Sequence, residues 1–433
     1  MEPMLLSTHD LREAPHAQFD SATQEGGCVM KRDYDAIVVG ARCAGASTAM
    51  LLAREGHRVL LVDRARFPSE IPHGHFIHRD GPPRLASWGL LDRIVADGCP
   101  PLTAQTSYFG DFPLVARNLE ADGVARGYGP RRALLDKILV DAAVEAGAEL
   151  NEGLSVESLL TDGDRVLGIR CAGSTPITAQ LTIGADGKHS LVAQAVGARE
   201  YETVPTLMCW YFSYYRDVPD PHTEMYVLRQ HRAIFAFGTN ENLLAVFVGW
   251  PIDEFASVRT HLEASFIAAL DLAPGLGERM RVGRRVDRFF GSGDLPNFLR
   301  RPFGPGWALV GDAGCHKDPF LAFGIADALR DAELLAKAAH DGISGMRPIE
   351  AALADYERER NEATLPDYFE NLHMAQLGPM PLEVLRLRQG LRDKPTDATE
   401  YVMARDGRIP REAFFNPQNL ARIMASCPKP IAT

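Results

Sequence analysis

The chain has 433 residues and a formal net charge of −11, with 46% of its residues hydrophobic and 24% charged. That length accommodates two domains, or one elaborate domain with an insertion, and the acidic balance argues against a general binder of nucleic acid or anionic membrane. No run reaches the ~18 apolar residues of a membrane helix, and seven scattered cysteines without a C-x-x-C pair point to reduced thiols in a cytoplasm, not to a disulfide framework or a zinc site.

Residues 1–33 alternate acidic and polar groups and read as a disordered tail. "YDAIVVG" is a β-branched apolar run closed by glycine, the pattern of a buried parallel strand. "AGASTAMLLAREG" continues with helical spacing to Gly56, and "HRVLLVD" is a second buried strand, so the three make a β-α-β unit. Further on, "SYFGDFPL" reads as sheet and "RRALLDKILVDAAVEAGAEL" as an amphipathic helix. "SVESLLTDGDRVLGIRC" reads as a hairpin turning at "TDGDR", and "LTIGADG" as another buried strand. From residue 199 to about residue 300 the strands "TLMCWYFSYY", "RAIFAFGTN" and "LLAVFVGW" alternate with turns, followed by the helical "FASVRTHLEASFIAALD". "GWALVGDAG" returns to a buried strand and "GIADALRDAELLAKAAH" to a helix; the rest is mostly helical with proline breaks. The β-α-β elements are therefore split along the chain by a sheet-rich insert.

The first strand-to-helix turn, "GARCAG", keeps Gly40 where the chain turns tightly and Gly45 where a helix packs close on a strand. Arg42 stands where a middle glycine would let a pyrophosphate approach the helix N-terminus; it removes that clearance and offers a cation near the phosphates. Asp63 ends the second strand where an acid accepts hydrogen bonds from an adenosine ribose, and Arg64 follows it. A ligand-free β-α-β unit carries the same pattern. "HGHFIH" brings His73, His75 and His78 close in sequence without an acidic or sulfur ligand nearby, so they read as structural or surface groups, or as contacts to a cofactor or substrate.

"GARCAG…VDR", "IGADGKHS" and "ALVGDAGCHKDP" occur in that order, and together they resemble the FAD-dependent monooxygenases of the para-hydroxybenzoate hydroxylase type. That superfamily is shared with flavin-dependent halogenases and geranylgeranyl-reductase-like enzymes, and the resemblance covers about residues 34–345. It implies an α/β fold: a Rossmann-like FAD-binding domain (34–102, 128–198 and 301–345), an inserted antiparallel β-sheet substrate domain (103–127 and 199–300) and a helical C-terminal cap (346–433). Gly40, Gly45 and Asp63 would hold the ADP half of FAD, Arg42 and Arg64 belong with them to the cofactor-binding set, and Arg132 would reach the cofactor. Asp186 and Gly187 match the "DG" pair near the pyrophosphate, and Gly311 and Asp312 the "GD" pair whose aspartate binds the ribityl chain. Pro319 and Gly324 match the loop beneath the isoalloxazine, with His316 and Lys317 beside it, and the helix from Ile325 would point its positive end at the flavin. Ala322 and Phe323 depart from the glycine-glutamine that family members often carry there.

The implied activity is oxygenation of an aromatic or polyketide-like small molecule in specialised metabolism, using NAD(P)H and O2 through a C4a-hydroperoxyflavin. NAD(P)H either binds transiently or is replaced by a separate flavin reductase. A halogenase would use a lysine shortly after the second strand and a W-x-W-x-I-P block; no lysine occurs between Lys31 and Lys137, and "GWPI" at Gly249–Ile252 is the only echo of the block. The same motifs also suit an ene-reductase with a long apolar groove or a non-catalytic flavin protein. Trp210, Phe212 and Tyr214 share one strand face and Tyr211, Ser213 and Tyr215 the other; with Phe235 and Phe237 they form either a two-sided core or, through Trp210, Phe212 and Phe237, a substrate wall. No metal is implied, and no general base is assigned.

Overall fold

The computed structural model describes residues 32–71, 73–109, 112–228 and 230–425, so nearly all of the expected tail lies outside the described residues. The residues from Asp33 onward form one compact unit. Its first sheet runs in the order Val156–Asp162, Arg165–Cys171, Ile177–Gly184, Tyr34–Val39, Val59–Asp63, Glu149–Glu152. Tyr34–Val39 is parallel to both neighbours, with Val38 opposite Ile183 and Leu61. Ile177–Gly184 changes partner along its length: Thr178 pairs antiparallel with Gly168 of the hairpin, whereas Gly184 pairs parallel with Leu309 of Trp307–Leu309.

Strand alternation sends Ala36 and Val38 to one face and Ile37 and Val39 to the other, and both faces are covered. The first lies under Cys43–Arg54, Arg132–Glu145 and Gly324–Ile343, through Ala46, Met50, Leu135, Leu139, Leu329 and Ala332. The second is closed by Val166 and Ile169 of the hairpin and by Val192 of Leu191–Ala195.

The second sheet is ordered Arg284–Arg285, Met208–Arg216, Leu243–Pro251, Arg232–Thr239, Glu224–Leu228, Gln105–Phe109, Pro113–Ala116, and Phe290–Ser292 also pairs with Met208–Arg216. All its pairs are antiparallel except Glu224–Leu228 with Gln105–Phe109. That parallel pair is how the segment near residue 105 joins strands read from residue 208 onward. One face packs beneath Leu262–Asp271 and Leu276–Val282, where Tyr211, Tyr215, Ile234 and Trp250 meet Phe266, Leu270 and Met280. A small sheet, Glu200–Val204, Asn297–Arg300 and Cys315–His316, leads back to the first sheet's end. The long helix Ile349–Ala375 places Tyr368 and Leu372 against Leu299 of that small sheet. The last helices bury Leu391, Tyr401, Val402 and Phe414 against Leu114 and Ala116. Among the described residues no helix is long and apolar enough to cross a membrane.

Candidate functional site

The glycine turn is built by close approach. Gly40 has φ +100°, and a Cβ there would stand 2.4 Å from the Ala185 carbonyl oxygen; a Cβ at Gly45 would stand 1.7 Å from the Gly40 oxygen. Neither position admits a side chain. Asp63 braces the turn, accepting from the Ala41 N–H at 2.7 Å and from the Ala65 N–H at 2.7 Å, while Arg64 is exposed beside it. The Arg42 guanidinium donates to Asp136 at 2.5 Å and to the Ser69 hydroxyl at 2.9 Å and lies 5.3 Å from the centre of the Phe67 ring. Asp136, 0% exposed, also takes Arg132 at 2.9 Å. Two arginines on one carboxylate leave the cluster cationic, at the start of the helix behind the turn.

The Asp186 carboxylate accepts from the Ser190 hydroxyl at 2.5 Å and from the Leu191 N–H at 2.7 Å, so it caps Leu191–Ala195 and fixes the loop containing Gly187. Gly311 has φ +62°, and a Cβ there would meet the Ala44 Cβ at 2.6 Å, which locks the third motif onto the first helix. The next residue, Asp312, is half-buried and has no hydrogen bond or ion pair to another described residue. His73 lies within the fields of Arg132, Asp312, Arg42 and Lys188; desolvation and then the cations, Arg132 foremost, push its imidazole down to about 4 against the opposing pull of Asp312.

Pro319, exposed, opens the short turn Pro319–Leu321 above buried Phe320, and Gly324, exposed, begins Gly324–Ile343 with nothing within 4 Å of where a Cβ would stand. Ala322, at the family's glycine position, adopts φ +55°; the backbone requirement persists and alanine meets it under strain. Phe323 stacks on His78 at 5.5 Å and lies 4.6 Å beneath the Arg79 guanidinium. His78 reaches the Leu321 carbonyl at 3.0 Å. His316 and Lys317 do not face the loop's open side: His316 lies against Phe298 and the Pro296 carbonyl, and Lys317 pairs with Asp327.

The two faces of Met208–Arg216 are both buried but differ in company. Cys209, Tyr211 and Tyr215 form the core under the helices, whereas Trp210, Phe212 and Tyr214 join Phe237, Phe247, Phe290, Phe320 and Leu321, so they pack with the loop that follows Pro319. Phe212 stacks on Phe247 at 4.4 Å, and Phe237 on Phe247 at 5.5 Å. Phe235 is partly buried on the same side. Sequence reading missed two polar links on this wall. His75, 0% exposed, has Nδ1 3.1 Å from the Gly129 carbonyl, which also accepts from the Thr239 hydroxyl at 2.6 Å. A carbonyl accepts only, so Nδ1 carries the proton and Nε2 accepts from the Tyr214 hydroxyl at 3.0 Å. The second link joins Trp210 to Asp318 at 3.1 Å. Their partners lie 139 and 108 residues apart, beyond any local pattern.

The FAD binding domain family matches residues 33–270. The chain belongs to that family. Protein FixC of Escherichia coli K12 is 30% identical over 175 residues, 38% of this chain and 39% of FixC, so this chain spans about two fifths of the FixC relatives it matches. The digeranylgeranylglycerophospholipid reductase of Methanosarcina acetivorans is 25% identical over 77% of this chain and 82% of its own. The structure of the myxobacterial chondrochloren halogenase CndH superposes with a TM-score of 0.72 at 20% identity, covering 91% of this chain and 97% of that one. PqsL of Pseudomonas aeruginosa, a probable FAD-dependent monooxygenase, superposes with a TM-score of 0.65 at 19% identity, covering 86% and 99%. The residues present fit FAD: a glycine turn too tight for side chains, a half-buried carboxylate at Asp312 with no hydrogen bond or ion pair to another described residue, and an open helix start at Gly324.

Proposed function

We propose that the protein is a cytoplasmic monooxygenase that oxygenates an aromatic or polyketide-like small molecule. The observation that carries this reading is the aromatic wall of Trp210, Phe212, Phe237 and Phe247 packed with Phe320 and Leu321 of the flavin loop. A planar apolar substrate gains stacking and burial on such a wall, and the same side chains keep water from the reacting atoms. Bound FAD supplies the reducing electrons and the activation of oxygen, with NAD(P)H or a separate flavin reductase as their source. Gly40, Gly45 and Asp63 would hold its ADP half, Asp312 its ribityl chain, and the Gly324 helix start would favour negative charge on the reduced ring. His75 keeps the Tyr214 hydroxyl in one orientation, a fixed polar group on the wall.

Two features weigh against halogenation. The described lysines near the motifs, Lys188 and Lys317, are paired with Asp294 and Asp327, and Trp250 of "GWPI" is buried on the helix-covered face with Phe266. The deciding experiment incubates the flavin-loaded protein with NAD(P)H, a flavin reductase, isotopically labelled oxygen and a panel of phenols and aromatic polyketides. The expected product carries one labelled oxygen atom. A halide-dependent product, or reduction of an isoprenoid alkene without oxygen, would replace this reading with halogenation or ene-reduction respectively.

A further inference from the structure

Asp318, immediately before Pro319, is 1% exposed and ties together three parts of the chain. Its Oδ1 accepts from the Trp210 indole N–H at 3.1 Å, on the aromatic wall, and from the Phe320 N–H at 3.0 Å, in its own loop. Its main-chain N–H donates to Asn297 at 2.7 Å, and its carbonyl accepts from Asn371 Nδ2 at 2.8 Å, on the long helix. Asn371 also accepts from the Leu321 N–H at 3.0 Å, so the loop hangs between the wall and that helix. The second carboxyl oxygen, Oδ2, is buried without a well-formed hydrogen bond among the described residues, the Met208 main chain being the polar group beside the carboxyl.

Among the described residues no charged group faces this carboxyl. On its own segment His316 lies against Phe298 and the Pro296 carbonyl, and Lys317 is turned to Asp327. The packed elements contribute Met208, Trp210, Asn297, Phe320 and Asn371, all neutral. An ionised carboxylate with a bare buried oxygen and no cation is strongly disfavoured. Burial pushes the Asp318 carboxyl up to about 7, against the opposing pull of the Trp210 indole and of the Phe320 and Met208 main chain.

We propose that Asp318 is a positioning residue whose protonation sets how the flavin loop seats against the aromatic wall. With the proton on, the link from Trp210 through Asp318 to Phe320 is neutral and stays dry. With the proton off, Oδ2 draws water or a main-chain N–H toward itself. The loop yields where it is already strained, at Ala322 with φ +55°. The seating then differs on the two sides of neutrality, and so does the environment of a flavin held by Pro319 and Gly324.

The proposal rests on FAD binding and not on the identity of the substrate, so its test uses the holoprotein without turnover. The absorption spectrum of bound FAD is titrated from about pH 5 to about pH 9. The expected result is one inflection near neutrality in the natural protein and none in Asp318→Asn, which keeps the Oδ1 acceptor and cannot ionise. In Trp210→Phe the inflection should move to higher pH, because the lost donor favoured the carboxylate. A flat titration of the natural protein, or the same inflection in Asp318→Asn, overturns the proposal; the latter would assign the titration to another group. Should Asp318→Asn fail to retain flavin, an unmoved inflection in Trp210→Phe overturns it equally.

Discussion

His75 offers a quantitative test of the wall. It is wholly buried among Phe212, Tyr214, Phe237 and Phe247, and burial pushes its imidazole down to about 3 from an ordinary value of 6.5, with Arg132 and Arg131 adding to the effect. A histidine whose folded pKa lies below its unfolded one stabilises the fold above the unfolded value, and that stability is lost as pH falls toward the folded value. Between about pH 7 and about pH 5 the unfolded chain takes up a proton that the folded chain refuses, at ~1.4 kcal/mol per unit below the ordinary value, or ~2 kcal/mol in all. Against a total stability of roughly 5–15 kcal/mol this is readily measured. The assay is equilibrium urea unfolding of the natural protein and of His75→Phe at both pH values. The variant should be weaker by ~1–3 kcal/mol at the higher pH, because the Tyr214 hydroxyl loses its acceptor. It should then lose ~2 kcal/mol less on acidification, so that the two stabilities converge. Contributions from His57 and His73, whose imidazoles are also held down chiefly by burial, are common to both proteins and cancel. If the two proteins fall in parallel, His75 is not held neutral in the way described.

Asp312→Ala should purify largely without flavin, by its ratio of visible to ultraviolet absorbance, while its melting stability stays within ~0.5 kcal/mol of the natural protein stripped of flavin, since the carboxylate makes no hydrogen bond or ion pair to another described residue. Asp186→Ala should do the reverse, keeping flavin and losing ~1–2 kcal/mol, because it removes the acceptor of the Leu191 and Val192 N–H groups. Gly45→Ala should give no flavin-loaded protein, its Cβ falling 1.7 Å from the Gly40 oxygen; recovery of the yellow holoprotein would contradict the turn geometry. Ala322→Gly should raise the unfolding free energy by up to about 1 kcal/mol, as read by urea unfolding, since glycine adopts the left-handed conformation without strain.

The first sheet was legible because its strands report their own burial: "YDAIVV", "VLLVD" and "ITAQLTIG" are short apolar runs with covered faces, and helical spacing begins directly after the glycine turn. The second sheet was legible as strands but not as an order. Nothing local in "SYFGDFPL" specifies that Gln105–Phe109 will lie parallel to Glu224–Leu228, more than a hundred residues away. "FASVRTHLEASFIAALD" reads as one helix, yet Phe255–Thr260 and Leu262–Asp271 meet at His261, whose φ of −121° lies outside the helical region.

The site shows where motif reading stops. A motif fixes which backbone positions must be glycine, since those are steric requirements of the turn itself, and Gly40, Gly45 and Gly311 all meet them. It does not fix where a charged side chain points, because that depends on partners brought in by the rest of the fold. Arg42 and Asp186 read as cofactor contacts in the sequence, and each has a counterpart within the protein, Asp136 in one case and the exposed amides of a short helix in the other. Asp312 makes no hydrogen bond or ion pair to another described residue, so its acceptor oxygens are left for the ribityl role proposed for it. The same reasoning separates the faces of Met208–Arg216. Both are apolar and alternate identically, so period alone cannot rank them. The difference comes from outside the strand: Tyr211 and Tyr215 meet helices that follow directly in the same insert, whereas Trp210 and Phe212 meet residues of the flavin loop roughly a hundred positions on. The proposed function uses the face completed by the loop that carries the cofactor motif, so on that proposal substitutions at Trp210 and Phe237 should alter turnover as well as stability, while those at Tyr211 and Trp250 should alter stability alone.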